Sequence, residues 1–327
     1  MEFRTTVKTS ENRNWLHHSA GVVLLGSCFS DNIGSKMHGA LINAVVNPMG
    51  TLYNPMSIAC GVKRLIDNEP VAGKDLFMQG GVWNSYDFHS RHSLPDKQAT
   101  IDHMNKRIEQ GHKALHQAQL LTITLGTAIV YRLKSTGEVV ANCHKVPQHE
   151  FERKMASVSE MVKVLDDMLS RLHAFNPEMK IILTVSPIRH IADGLDINSL
   201  SKASLRVAIQ EAVTPHLDYC DYFPAFEIML DDLRDYRFYS SDMVHPSDVA
   251  VEYIWQVFQA MYLDDHSALA VARCERVFKR LQHRPMSANR ETIDRFNNDT
   301  ASVVRNLIKE YPYLAQNPEL KKVLDRS

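Results

Sequence analysis

The chain has 327 residues, 44% hydrophobic and 23% charged, which suits one large globular domain or one domain with an appendage. Lysine and arginine (37) almost balance aspartate and glutamate (38), giving a formal net charge of −1. No strong field of either sign results, so a main role on nucleic acid or on an acidic membrane surface is disfavoured.

The opening segment, MEFRTTVKTSENRNWLHHS, has no apolar core and is not read as a signal peptide. No window of about 18 apolar residues is found, so no membrane span is expected. The five cysteines (28, 60, 143, 220 and 274) are far apart and form no CxxC pair. A disulfide framework is therefore not expected, and a reducing cytoplasm fits best.

The first strand is read over 21–25, and a helix over 29–39 follows it at once. A second strand is expected over 41–46. A helix over 55–67 carries Met56, Ala59, Cys60, Val62, Leu65 and Ile66 at helical spacing. Residues 75–95, rich in Gly, Asn, Ser and Asp, are expected to form a long loop. A polar helix over 96–118 precedes a buried strand, LLTITLG, at 120–126. IVYRLKSTGEVVAN predicts a small hairpin turning at 135–137. A long amphipathic helix is predicted over 149–175, then a strand at 180–187. A helix over 198–213, a last strand in HLDYCDYF and a helix over 247–263 complete this part. Glu227 and Arg234, in FEIMLDDLRDYRF, are expected to pair on a further helix. From 266 onward only helices are predicted, with HRPMS as a break near 283–287.

Apolar strands separated by helices predict a parallel sheet covered on both faces. Such a sheet carries its site outside the carboxyl ends of its strands. Reactive residue types gather at those ends. The first strand ends at Gly26-Ser27-Cys28, the third at Gly126-Thr127-Ala128, and the fourth near Arg189-His190. After the last strand comes YSSDMVHPSDV, in which Asp242 can orient His245 three residues on. A side chain on the turn at 27–28 stands at a helix N-terminus. There free N–H groups and the helix dipole favour a thiolate or an oxyanion.

GSCF, NPMGTLYNP (47–55), TLGTAIVY (124–131), NCHKVP (142–147), LTVSPIRH (183–190) and DMVHPS (242–247) together resemble the GSCFA domain family, placed in the SGNH/GDSL hydrolase superfamily. The resemblance spans roughly residues 20–260. It implies a three-layer α/β/α, flavodoxin-like domain over 1–265, with 266–327 as a helical extension. It also implies an esterase or acyltransferase that forms an acyl-enzyme on a small-molecule or glycan acyl ester, acetyl esters included. Neither a metal nor an organic cofactor is needed, and no nucleic-acid or membrane partner is expected.

Laid on the superfamily's first block, Gly26 matches Gly, Ser27 matches Asp and Cys28 matches the nucleophilic Ser. A shift of one residue makes Ser27 the nucleophile instead. Asp242 and His245 match the D-x-x-H pair, with His245 as general base. The third block departs from the pattern, because Ala128 stands where Asn helps to build the oxyanion hole. Losing such a donor costs ~3 kcal/mol of transition-state stabilisation. Replacement donors to consider are Asn47, Asn54, Asn142 and the backbone N–H groups of Cys28 and Gly50. Gly126 and Thr127 border the same place. His144 is a further candidate for substrate binding or acid chemistry. Arg189 and His190 can hold an anionic group, and His89 lies in the lid-like loop WNSYDFHSRHS. A binding module on a degenerate hydrolase fold is the second reading. A zinc site from Cys28, His144, Asp242 and His245 is the third, though their spacing matches no established motif.

Overall fold

The computed structural model describes residues 5–9, 11–283 and 289–325. β1 (Gly21–Gly26) runs into α1 (Cys28–Gly39), with Ser27 as its N-cap. β2 (Asn43–Val46) is followed by a loop and by α2 (Pro55–Ile66), which is capped by Asn54 and started by Pro55. A short pair, β3 (Phe77–Gln79) and β4 (Val82–Asn84), precedes α3 (Lys97–Gln117). β5 (Leu120–Leu125) leads to β6 (Ile129–Leu133), β7 (Val139–Val140) and β8 (Phe151–Met155). Then α4 (Val158–Phe175), β9 (Lys180–Val185), α5 (Leu195–Val213) and β10 (Cys220–Phe223) alternate. A single turn, α6 (Ala225–Glu227), leads on to α7 (Asp248–Tyr262), α8 (Asp265–Gln282), α9 (Arg290–Glu310) and α10 (Pro318–Leu324).

The central sheet is parallel throughout, in the order β2-β1-β5-β9-β10, which is the flavodoxin-like order. Alternate strand residues feed two apolar layers. Val23, Leu25, Leu121, Ile123, Ile181 and Leu183 pack with α2, α3, α4 and α5. Val22, Leu24 and Ile182 pack with Phe29 and Ile33 of α1 and with Ile254, Trp255 and Phe258 of α7. The expected three-layer α/β/α architecture is therefore the one found. The C-terminal helices build their own apolar cluster, which seats Ala270, Val304, Leu307 and Leu320 against Leu41 behind α1.

Three sequence expectations are corrected. Residues 75–95 are not all loop. Gly80 and Gly81, at φ +62° and +77°, close β3 onto β4 as a two-residue hairpin. The helix expected from 149 begins at 158, because FERKM pairs as β8 with β6, with Phe151 buried and Glu152, Arg153 and Lys154 exposed. Ser157 and Glu160 then form a reciprocal capping box that starts α4. Glu227 and Arg234 do not pair. Glu227 accepts from the Tyr222 hydroxyl at 2.7 and 2.8 Å and faces Arg206 at 3.5 Å, while Arg234 pairs with Asp231. The long helix expected there is one α-turn and a π-turn, 228–232, ending where Arg234 takes a left-handed φ of +27°. Most of the break expected at 283–287 lies outside the described residues.

Gly26 sits where the edge that bears the site is packed most closely against backbone. Its φ is +127°, and a Cβ there would lie 2.2 Å from the Thr124 carbonyl oxygen. Neither the backbone angle nor the neighbouring strand can yield cheaply. Gly26→Ala is expected to lower unfolding stability by about 3 kcal/mol or more, measured by chemical denaturation.

Candidate active site

The carboxyl edge of the sheet is sewn together by hydrogen bonds that converge on the 47–54 loop. Gly26 N–H donates to Asn47 Oδ1 at 2.9 Å, and Gly26 O accepts from Leu52 N–H at 2.9 Å. The Tyr53 carbonyl accepts from Gly126 N–H at 2.7 Å and Thr127 N–H at 3.0 Å. One loop thus ties the end of β1 to the end of β5. A cleft of about 460 Å³ opens above these ends. Ser27, Cys28, Tyr53, Asn54, Thr127 and His245 are among the residues that line it.

Cys28 is the first residue of α1 and is half-buried. Its Sγ lies 3.5 Å from the Tyr53 hydroxyl, which in turn accepts from Thr51 Oγ1 at 3.2 Å. The Cys28 N–H has no acceptor among the described residues. Ser27 differs sharply. It is 1% exposed, and its Oγ accepts from Phe29 N–H at 3.3 Å as the helix cap. Burial, with the bond to Cys28 next in weight, pushes Tyr53 up to about 12, so it remains a phenol.

Asp242 and His245 sit together on the 240–247 loop. Asp242 Oδ1 accepts from the backbone N–H groups of Val244 (2.9 Å) and His245 (3.0 Å), and Oδ2 meets His245 Nδ1 at 2.6 Å. The two N–H bonds, that of His245 leading, hold the Asp242 carboxyl down at about 2. With the carboxylate ionised, the hydrogen of that bond lies on Nδ1, which leaves Nε2 as the ring nitrogen not engaged by Asp242. His245 is not hydrogen-bonded to Cys28. The two share the cleft, and the imidazole side chain is 44% exposed.

Arg189 and His190 also line the cleft. Arg189 makes no ion pair among the described residues. Its guanidinium lies 3.8 Å above the Tyr239 ring and donates to Met243 O at 3.3 Å, while its N–H donates to Val244 O at 3.2 Å. Arg189 thereby fastens the loop that bears His245 to the end of β9. His190 packs edge-on against Tyr53, and its Nε2 is buried without a partner among the described residues. Burial, with Lys202 and His245 nearby, lowers it to about 4, so it is neutral near pH 7.

Several sequence candidates stand elsewhere or are already engaged. Asn47 donates its Nδ2 to Asp31 as well as accepting from Gly26, and so pins the turn. Gly50 N–H is bonded to Asn47 O. Asn142 accepts from His144 N–H, and His144 Nε2 meets Ser85 O at 2.8 Å. Neither Asn142 nor His144 lines the cleft. His89 caps a short turn and packs against Gly50, also outside the cleft lining. Gly126 and Thr127 direct their N–H groups to Tyr53, and Ala128 donates its own to Ser201 Oγ at 2.8 Å. Asn54 lines the cleft with Oδ1 engaged as a cap, leaving Nδ2 without a partner among the described residues. No group of three or more His, Cys, Asp or Glu side chains is gathered for a metal among the described residues. A larger cavity, of about 610 Å³, lies across β7 between Arg64, Asp87 and Glu138, and it holds none of the residues named for chemistry.

Two residues of the site escaped the sequence reading. One is Tyr53. The other is Lys202, 1% exposed on α5, whose Nζ donates to Gly126 O and Ser186 O, both at 2.7 Å. Burial lowers this amine to about 7. The NPMGTLYNP stretch was the available signal for Tyr53, which sits near its end. For Lys202 the signal was a lysine on the apolar face of a helix, next to Leu205 and Ile209.

Fold and cleft define an α/β protein of flavodoxin-like topology, with a thiol and an Asp–His pair at the carboxyl edge of its sheet. The chain belongs to the GSCFA family, whose model matches residues 21–258. Among solved structures it is similar to an acetyl xylan esterase (Est2A) from the rumen bacterium Butyrivibrio proteoclasticus, at 12% identity and a TM-score of 0.38. That match covers 74% of this chain and 63% of the other, so the chain spans less than two thirds of that protein's length. No curated protein matches the chain. Among the described residues, no helix is long and apolar enough to cross a membrane.

Lys202 gives a test of the site's frame. Its pKa when folded is depressed from 10.5 to about 7, so the unfolded chain binds more protons between those values. Its contribution therefore makes stability rise with pH from about 7 towards 10.5. Lys202→Met leaves two carbonyls unpaired and is expected to cost about 3 kcal/mol at pH 9. The gap between wild type and variant should shrink at pH 6, as read from urea midpoints at both values.

Proposed function

We propose that the protein is an SGNH/GDSL-type esterase or acyltransferase that works through an acyl-enzyme on Cys28. The observation that carries this is one cleft holding a thiol at a helix N-terminus and an imidazole whose Nδ1 is bonded to a carboxylate at 2.6 Å. Cys28 is favoured over Ser27 because Ser27 is buried and engaged as the helix cap. The open cleft suits a small acyl ester or an acylated sugar. Supporting this reading, Ile129, Val140, Ile188 and Val244 offer an apolar wall beside the thiol.

In this scheme Cys28 Sγ bonds to the ester carbonyl carbon as its proton passes to His245 Nε2. The carbonyl π-bond opens to an oxyanion, which Cys28 N–H and Asn54 Nδ2 can meet. As the carbonyl re-forms, the C–O bond to the alcohol breaks and His245 returns the proton to that oxygen. A water or acceptor hydroxyl then gives its proton to His245 and attacks the thioester, restoring the Cys28 thiol. The cytoplasm is the expected setting for a reduced thiol, and the helices from 266 onward are assigned as an extension outside the reaction.

A second reading is a binding module on a degenerate hydrolase fold. The observation favouring it is that Cys28 bonds Tyr53 and not His245. Catalytic bonds in ligand-free enzymes are often long, so this alone decides nothing.

Incubation with p-nitrophenyl acetate followed by intact-mass analysis separates the two. One acetyl on Cys28 is expected, abolished in Cys28→Ala and retained in Ser27→Ala. His245→Ala and Asp242→Asn should slow acylation by roughly 10²-fold or more. A wild-type protein that gains no acetyl and releases p-nitrophenol no faster than Cys28→Ala supports the binding module.

A further inference from the structure

We propose that the Tyr53 hydroxyl is a catalytic residue, a side-chain donor to the oxyanion that acts with Cys28 N–H and Asn54 Nδ2. The proposal rests on the acyl-enzyme reading above. The end of β5 has no backbone donor to give, because Gly126, Thr127 and Ala128 all have their N–H groups bonded within the frame. Asn47 is fixed between Gly26 and Asp31. Tyr53 is the hydroxyl in contact with the nucleophile, 3.5 Å from Cys28 Sγ.

Its hydrogen is also free to be given. Thr51 Oγ1 donates to the Tyr53 oxygen at 3.2 Å, so that oxygen already accepts and the phenolic hydrogen is left for the cleft. Either the thiol or the phenol can supply the hydrogen of the Cys28–Tyr53 contact, and once the sulfur is a thiolate only the phenol can donate. When sulfur bonds to a carbonyl carbon, the new negative charge appears on an oxygen one atom further from sulfur. A small rotation of the hydroxyl carries the hydrogen from Sγ to that oxygen. The ring is held for this task by its own backbone: the Tyr53 carbonyl is bonded to Gly126 and Thr127, and the ring packs against His190. A preorganised donor of this kind needs little rearrangement as charge develops. Burial keeps the phenol protonated near neutral pH.

Tyr53 can act on sulfur or on the oxyanion, and two reagents distinguish these. Acylation by p-nitrophenyl acetate passes through an oxyanion. Alkylation by iodoacetamide uses the same thiol and forms none. In Tyr53→Phe, acylation of Cys28 is expected to slow by about 10²-fold, with alkylation within about threefold of wild type. Thr51→Val keeps the phenol but removes its orienting donor, and it should slow acylation alone by a smaller factor, about tenfold. Equal losses with both reagents would place Tyr53 on the thiolate and overturn the assignment. Unchanged acylation in Tyr53→Phe overturns it as well, while the acyl-enzyme reading survives. A wild-type protein that alkylates at Cys28 but is never acylated removes both together.

Discussion

Two carbonyl oxygens at the ends of neighbouring strands, Gly126 O on the β5 side and Ser186 O on the β9 side, are held by one buried amine. Where parallel strands stop, their last carbonyls lose ladder partners and must find others or stay wet. Here Lys202 supplies both partners from inside the protein. It does so from α5, where Asn198, Ser201 and Lys202 lie at positions that share one helix face. Asn198 accepts from His190 N–H at 2.9 Å, and Ser201 Oγ accepts from Ala128 N–H at 2.8 Å. One helix face therefore sets both strand ends between which the cleft opens. An amine is suited to this because it has several donors and a long stem that packs among apolar residues.

The same constraint shapes what the cleft can offer a substrate. Every backbone donor used to hold the frame is withdrawn from the proposed chemistry. Gly126, Thr127 and Ala128 are consumed in this way, and Gly50 is bonded to Asn47. What remains is the start of α1, whose first N–H groups have no helical acceptor, together with side chains carried by the bonded loop. The loop that closes β1 onto β5 is thus also the place where new donors have to arise. Tyr53 is both a clamp, through its carbonyl, and a cleft wall, through its ring.

Much of this was legible in the sequence because it is local. The apolar runs gave the five central strands, and the flavodoxin-like sheet follows from their alternation with helices. The Asp242–His245 pair spans one turn, so its spacing alone suggests the contact. Lys202 and Gly126 are 76 residues apart, and nothing in either segment announces the other. Cys28 and Tyr53 are joined only once β1 and the 47–54 loop are folded over β5. His144 and Asn142 looked like cleft residues because they follow the β6–β7 hairpin. The pairing of β6 with β8 carries that loop to Ser85 instead. β8 itself was hidden because its polar residues also fit the exposed face of a helix, and only the Ser157–Glu160 capping box marks the true start of α4.

The proposed nucleophile and base are mounted differently, and this bears on how they would meet. Cys28 and Tyr53 are fixed by bonded strand ends and a buried loop. His245 stands on an exposed loop, yet its orientation is not left to solvent. Asp242 accepts from two backbone N–H groups of its own loop before it reaches the imidazole, so carboxylate and ring turn as one unit. That unit is attached to the end of β9 through Arg189, which stacks on Tyr239 and bonds Met243 O. Since β9 is the strand anchored by Lys202 through Ser186, His245 is linked to the same buried amine as β5. A shift of the 240–247 loop can then move His245 as a preset donor–acceptor pair relative to a fixed thiol. Neither the tautomer nor the frame beneath has to change as it does so.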